Sequence, residues 1–188
     1  MKRYGFVIDT DRCIGCQTCI VGCHIDHKLA DGIYWGRLET VGSENTYQPA
    51  GKYPKVNMVS RTHMCNHCLQ PKCLEVCPTD SISKRTDGIV LIERETCIGC
   101  KSCADVCPYD IPQTEEDIEK TSKCNMCYDR VDEGGIPFCV QTCPTGARHF
   151  GDLNNKNSDV SKLIKSRKGY VLKPEEKTGP SVYYLNRK

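Results

Sequence analysis

An α+β fold gathered around metal-holding loops is what this sequence of 188 residues predicts, on three observations. Its sixteen cysteines fall into four quartets with none left over. Hydrophobic residues, cysteine included, make up only 38 % of the chain, so a small core must be stapled by something else. The segments flanking the quartets read as short strands and short helices punctuated by Gly, Pro and Asp.

The quartets are Cys13, Cys16, Cys19 and Cys23; Cys65, Cys68, Cys73 and Cys77; Cys97, Cys100, Cys103 and Cys107; Cys124, Cys127, Cys139 and Cys143. Each opens with C-x-x-C and closes with C-x-x-x-C. Proline follows the closing cysteine in Cys77-Pro78, Cys107-Pro108 and Cys143-Pro144, whereas His24 takes that place after Cys23. Quartets one and three match the bacterial ferredoxin run C-x2-C-x2-C-x3-C. Quartets two and four lengthen the middle gap to four and eleven residues. Beyond the ligands, Thr79-Asp80-Ser81-Ile82 and Thr145-Gly146-Ala147-Arg148 occupy equivalent places.

Three closely spaced thiolates can surround three irons of one cube, while the fourth lies on the following helical turn and points away. In two-cluster ferredoxins that fourth thiolate binds the other cluster, so the quartets must pair. Spacing alone permits quartet one with four and two with three, or one with two and three with four. Structural zinc accounts for C-x-x-C pairs but not for the repeated C-x3-C-P ending. A disulfide framework is disfavoured because the N-terminus lacks an apolar secretory stretch and a twin-arginine pair.

In chain order, residues 4–9 form a strand and residues 19–29 the helix behind the first loop. Residues 30–62 read as an insertion with strands at 37–41 and 55–60, and with Tyr34 and Trp35 as its packing residues. Residues 81–83 and 89–92 flank an Asp87-Gly88 turn and form a hairpin. Phe150 and its neighbours supply a strand after quartet four. Residues 158–166 form a helix with a Ser or Asp cap, followed by an extended arm that packs on the chain's own surface or on a partner's.

The formal charge is +2, and the basic residues are scattered apart from Lys162, Lys165, Arg167 and Lys168, which gives nucleic-acid binding little support. Four [4Fe–4S] clusters of about −2 each would bring the holo chain to about −6. The longest aliphatic run, Ile89-Val90-Leu91-Ile92, is far too short to span a bilayer.

Four ferredoxin-type quartets, the long gap in the last, the YGFVIDTDRCIGC start and the CNHC motif resemble the iron–sulfur subunits of the dimethyl sulfoxide reductase family, over essentially residues 3–151. The resemblance implies two nested ferredoxin-like lobes. Lobe I is 1–29 plus 108–151 and lobe II is 63–107, with 30–62 as insertion and 152–188 as C-terminal helix and docking arm. It further implies cluster 1 on Cys13, Cys16, Cys19 and Cys143, and cluster 2 on Cys23, Cys124, Cys127 and Cys139. Cluster 3 would take Cys65, Cys68, Cys73 and Cys107, and cluster 4 Cys77, Cys97, Cys100 and Cys103.

The implied function is electron relay, with a free polyferredoxin shuttle as the alternative. The implied partners are a catalytic subunit carrying a molybdenum or tungsten bis-pterin cofactor near cluster 1, and a quinone-linked membrane subunit near cluster 4. The implied location is peripheral to the cytoplasmic membrane through the complex, or cytoplasmic, with export alongside a partner open. Two residues beside ligands are candidates for tuning potentials: His24 next to Cys23, against a surface role, and Lys101 between Cys100 and Cys103, against extension into water. His67, between Cys65 and Cys68, is read as a hydrogen-bond donor or a solvent-facing residue. No set of nucleophile, base and oxyanion donors stands out for a substrate site.

Overall fold

The computed structural model describes residues 1–185. Its first element is β1 (Tyr4–Asp9), followed by α1 (Thr18–Asp26). The insertion carries β2 (Gly36–Thr40), β3 (Ala50–Lys52), β4 (Lys55–Asn57) and β5 (Ser60–Met64). Then come α2 (Lys72–Glu75), β6 (Ile82–Lys84), β7 (Val90–Ile92) and α3 (Ser102–Asp105). They are followed by β8 (Gln113–Glu115), β9 (Lys120–Ser122), α4 (Tyr128–Asp132) and α5 (Phe138–Gln141). The described residues close with β10 (Arg148–Asp152), α6 (Asp159–Ser166) and β11 (Val182–Leu185).

The centre is a three-stranded sheet in the order β10-β1-β11. β1 runs antiparallel to β10, with Ile8 opposite Arg148, and parallel to β11, with Phe6 opposite Val182. Strand alternation sends Phe6, Ile8, Val182 and Tyr184 to one face, where they join Met64, Ile89, Tyr109 and Met126. Val7 and Leu185 point the other way, onto Val160 of α6. Each such large apolar side chain, once buried, contributes about 1.5–3 kcal/mol. Gly5 allows the strands to meet, since a Cβ there would lie 2.3 Å from the Ser181 carbonyl oxygen that accepts the Phe6 amide.

Each C-x-x-x-C ending begins on a helix, and in quartets two, three and four its closing cysteine lies just past the helix end. Cys19 and Cys23 are on α1, while Cys73, Cys103 and Cys139 sit on α2, α3 and α5. The hairpin expected around Asp87-Gly88 forms from β6 and β7, with Ile82 opposite Ile92 and Gly88 at φ 90°. α6 starts as its sequence suggests, the Ser158 hydroxyl accepting the Ser161 amide at 3.2 Å.

Two expectations are corrected. The strand pairing with 36–40 is Ser60–Met64; residues 55–57 fold back on 50–52 instead, because the Tyr53-Pro54 turn joins them directly. The helix expected to run to residue 29 stops at Asp26, where the chain turns through His27 and a left-handed Lys28. The tail, expected on its own surface or a partner's, takes its own. Residues 178–181 cross the second cysteine loop, with Leu69 and Gln70 amides donating to the Gly179 and Thr178 carbonyls and Ser181 to Asn66. The Arg3 guanidinium holds the Gly179 and Pro180 carbonyls at 3.0 and 2.8 Å, and the chain then enters the sheet as β11.

Candidate metal centres

The folded chain gathers cysteines from distant segments. Cys13, Cys16, Cys19 and Cys143 line one cavity of about 340 Å³. Cys65, Cys68, Cys73 and Cys107 line a second of about 320 Å³, and Cys77, Cys97, Cys100 and Cys103 a third of about 310 Å³. All three are partly open. The remaining four are electrostatic neighbours: Cys23 is raised by burial, then by Cys139 and Cys127, and Cys124 by burial, then by Cys23, Cys65, Cys139 and Cys127. These sets are numbered groups one (Cys13), three (Cys65), four (Cys77) and two (Cys23) after their first members.

The thiol environments suit a positively charged guest. Burial and neighbouring thiols push Cys68 up to about 11, Cys73 to about 12 and Cys103 to about 11. Left alone, such groups stay protonated, and only a cationic metal core lets crowded, buried thiols ionise together. Cys77 and Cys143 are exceptions with one cause. Burial raises both, but the Thr79 or Thr145 hydroxyl and several backbone N–H groups of the following turn pull them below the ordinary thiol value. Four thiols per group, three of the groups around cavities of similar size, make a donor set suited to cubane iron–sulfur clusters.

Around these groups the candidate tuning residues fall as follows. The Lys101 ammonium sits 2.7 Å from Glu116, with about half of its side chain exposed, so its cation is neutralised and in water. His24 bonds the Ile33 carbonyl through Nδ1 at 2.9 Å and stacks on Tyr34, tying α1 to the insertion. His67 faces no solvent: it is fully buried, and its Nδ1 accepts the Val90 amide at 3.0 Å. Burial, with Lys123 nearby, pushes its pKa well down, so the ring is neutral. Trp35 packs on His27 and donates to the Ser122 hydroxyl at 3.0 Å, whereas Tyr34 is 42 % exposed and serves mainly as the lid on His24.

Four other residues at these groups carry no mark in the cysteine spacing. His27 lies with Nε2 at 3.2 Å from Cys127 Sγ. Buried Lys123 donates to the Val90 and Cys124 carbonyls and lines the cavity of group three. The buried Thr178 hydroxyl shares a 2.8 Å hydrogen bond with the Tyr109 hydroxyl and pulls the neighbouring Cys68 thiol down. Buried Arg148 reaches thiols of groups one and two. A signal for the last existed, because the repeat aligns Arg148 with Ile82 and a cation at an apolar repeat position is anomalous.

Among the described residues no helix is long and apolar enough to cross a membrane.

Residues 56–153 match a 4Fe-4S dicluster domain, and residues 10–35 a 4Fe-4S binding domain. The chain is 36 % identical to a tetrathionate reductase subunit of Salmonella typhimurium, over 97 % of this chain and 72 % of that protein. It is 32 % identical to the arsenate respiratory reductase iron–sulfur subunit of a Shewanella species, over 97 % and 96 %. It is 36 % identical to a polypeptide of the anaerobic dimethyl sulfoxide reductase of Escherichia coli, over 92 % and 86 %. With a family domain across half its length, paired cysteine quartets and such relatives along nearly its whole length, this protein belongs to the iron–sulfur subunits of the dimethyl sulfoxide reductase family.

Proposed function

We propose that the chain is the electron-relay subunit of a reductase complex and holds four [4Fe–4S] clusters, one in each cysteine group. The observation that carries this reading is that every one of the sixteen cysteines stands in a group of four, three groups lining cavities of about 310–340 Å³. Bound clusters supply reversible one-electron steps. The chain's own part is to hold the groups in series, exclude water from the inner ones and leave the outer ones reachable. Cys16 of group one and Cys100 of group four are the exposed cysteines, each beside an exposed isoleucine, Ile14 or Ile98. The buried cysteines are Cys124 and Cys127 of group two, Cys65 of group three, and Cys97 and Cys103 of group four. The exposed thiols of groups one and four support an order one, two, three, four with exchange at the ends.

The same groupings support nested lobes, 63–107 lying within 1–29 plus 108–151, because Cys143 joins the first loop and β10 pairs with β1. The relatives' names speak of reductase subunits, which supports a catalytic partner; the family resemblance adds a molybdenum or tungsten bis-pterin cofactor in that partner at group one and a quinone-linked membrane partner at group four. Placement at a cytoplasmic membrane through that complex goes with this reading.

Anaerobically purified protein is expected to carry about sixteen iron and sixteen sulfide per chain. Bound zinc with little sulfide would overturn the reading. Size exclusion of the native material separates a docked subunit from a free shuttle.

A further inference from the structure

Arg148 is the unusual group of the interior. It opens β10 opposite Ile8 and is 7 % exposed. Its partners are a hydroxyl and three sulfurs instead of a carboxylate. Nη1 donates to Thr62 Oγ1 at 2.8 Å and reaches Cys19 Sγ at 3.8 Å, while Nη2 lies 3.5 Å from both Cys139 Sγ and Met64 Sδ. Nε has no hydrogen-bond partner. The face of Phe6 closes the guanidinium off, its ring centre 5.7 Å from the central carbon.

A buried guanidinium without an anion beside it is strongly destabilising, because desolvation is not offset. The four partners here are individually weak acceptors. The arrangement becomes favourable when the two cysteine sulfurs carry negative charge, as metal-bound thiolates do. Cys19 belongs to group one and Cys139 to group two, so one cation stands between two groups of opposite charge.

We propose that Arg148 is the shared counter-cation of groups one and two and raises the midpoint potential of the clusters held by both. This rests on the proposed cluster sites. Reduction places one further electron on a cluster, supplied by the redox mediator or partner, and a fixed positive charge in a dry interior favours that state. Arginine stays protonated throughout, so no proton moves at this residue and its contribution to the midpoints is independent of pH. Lys101 provides the contrast, since its ammonium is offset by Glu116 and screened by water. The shared position has a second consequence. Once one of the two clusters is reduced, Arg148 is more fully neutralised, and its pull on an electron at the other is weaker.

The test uses the full chain with its clusters, prepared anaerobically as wild type, Arg148→Met and Thr62→Asp. Each is assayed for iron and sulfide and titrated with redox mediators under electron paramagnetic resonance. In Arg148→Met two of the four midpoints are expected to fall together while the other two stay in place. Thr62→Asp keeps the arginine and sets a carboxylate against Nη1, so the same two midpoints are expected to fall even if Arg148→Met does not assemble. Unchanged midpoints in a fully loaded variant, a rise, or an equal shift of all four would overturn the assignment. A wild-type chain without iron and sulfide would instead defeat the cluster reading itself, and the two failures are separable by that first assay.

Discussion

Replacing Thr178 by valine tests whether the C-terminal segment is part of group three. The change is nearly isosteric, so packing is kept and one hydroxyl is lost. In the folded chain that hydroxyl is 2.8 Å from the Tyr109 hydroxyl, stands beside the Cys68 thiol, which it pulls down, and belongs to a residue only 2 % exposed. Its removal leaves the buried Tyr109 hydroxyl with the Leu172 carbonyl at 3.5 Å. Loss of the buried Thr178–Tyr109 bond costs about 1–2 kcal/mol. At 1.4 kcal/mol per tenfold, the opened tail becomes roughly 5- to 30-fold more populated. The Leu69 and Gln70 amides report this directly, because their acceptors are the Gly179 and Thr178 carbonyls at 2.9 Å. Amide exchange at those two positions should accelerate by that factor in the cluster-loaded chain, while the β6–β7 amides keep their protection. Unchanged exchange at Leu69 and Gln70 would refute the coupling of tail to site.

Cys143→Ser is expected to damage the cluster bound with Cys13, Cys16 and Cys19, and Cys107→Ser the one bound with Cys65, Cys68 and Cys73; damage confined to the Cys124 group in the first variant would break the proposed exchange of fourth ligands. Lys101→Gln is expected to lower the midpoint at group four only slightly, since Glu116 already offsets the charge, and Glu116→Gln to move it slightly upward in the same mediated titration. Gly99→Ala should strip group four, because Gly99 has φ +64° and an added Cβ would lie 2.3 Å from the Glu119 carbonyl oxygen. A cost of about 1–3 kcal/mol for a non-glycine residue held there, beyond the clash, should reduce iron from about sixteen to about twelve per chain. Gly32→Ala is the control, with φ +81° and no atom within 4 Å of the new Cβ, and should keep its iron.

Much of this architecture is written locally. The alternation in residues 4–9, the Asp87-Gly88 turn and the Ser158 cap each act through neighbouring residues, and each appears where the sequence places it. Quartet spacing is local as well, which is why every C-x-x-x-C ending begins on a short helix. The insertion is legible only in outline, because which strand pairs with 36–40 depends on the competition between a Tyr53-Pro54 turn and a longer-range ladder. The path of the tail is open in the sequence for the same reason. Nothing local in Val182-Tyr183-Tyr184-Leu185 says that it lies parallel to β1, an edge available only once β10 has taken the other side. The residues that touch thiols from afar are the least legible, since Arg148 is 129 residues from Cys19.

The cations around the four groups are unequal, and that inequality carries the functional argument further than the cysteines do. Arg148 serves groups one and two from a dry interior. Lys123, 4 % exposed, lies in the wall of group three beside Cys124 of group two, with backbone carbonyls as its partners. Group four has Lys101 in its wall, already paired with Glu116 at the surface, and half-buried Lys120 beside it, whose ammonium donates to the Glu95 and Cys97 carbonyls. Buried charge acts with little screening, whereas surface charge is damped by water and salt. The positive potential at the four groups is therefore unequal, although the ligands of all four are identical. A cluster beside the dry Arg148 guanidinium would hold an electron more readily than one whose nearest cations are paired or half-exposed. Four quartets with the same thiolate ligands would thus differ in potential through side chains that the cysteine spacing does not mark.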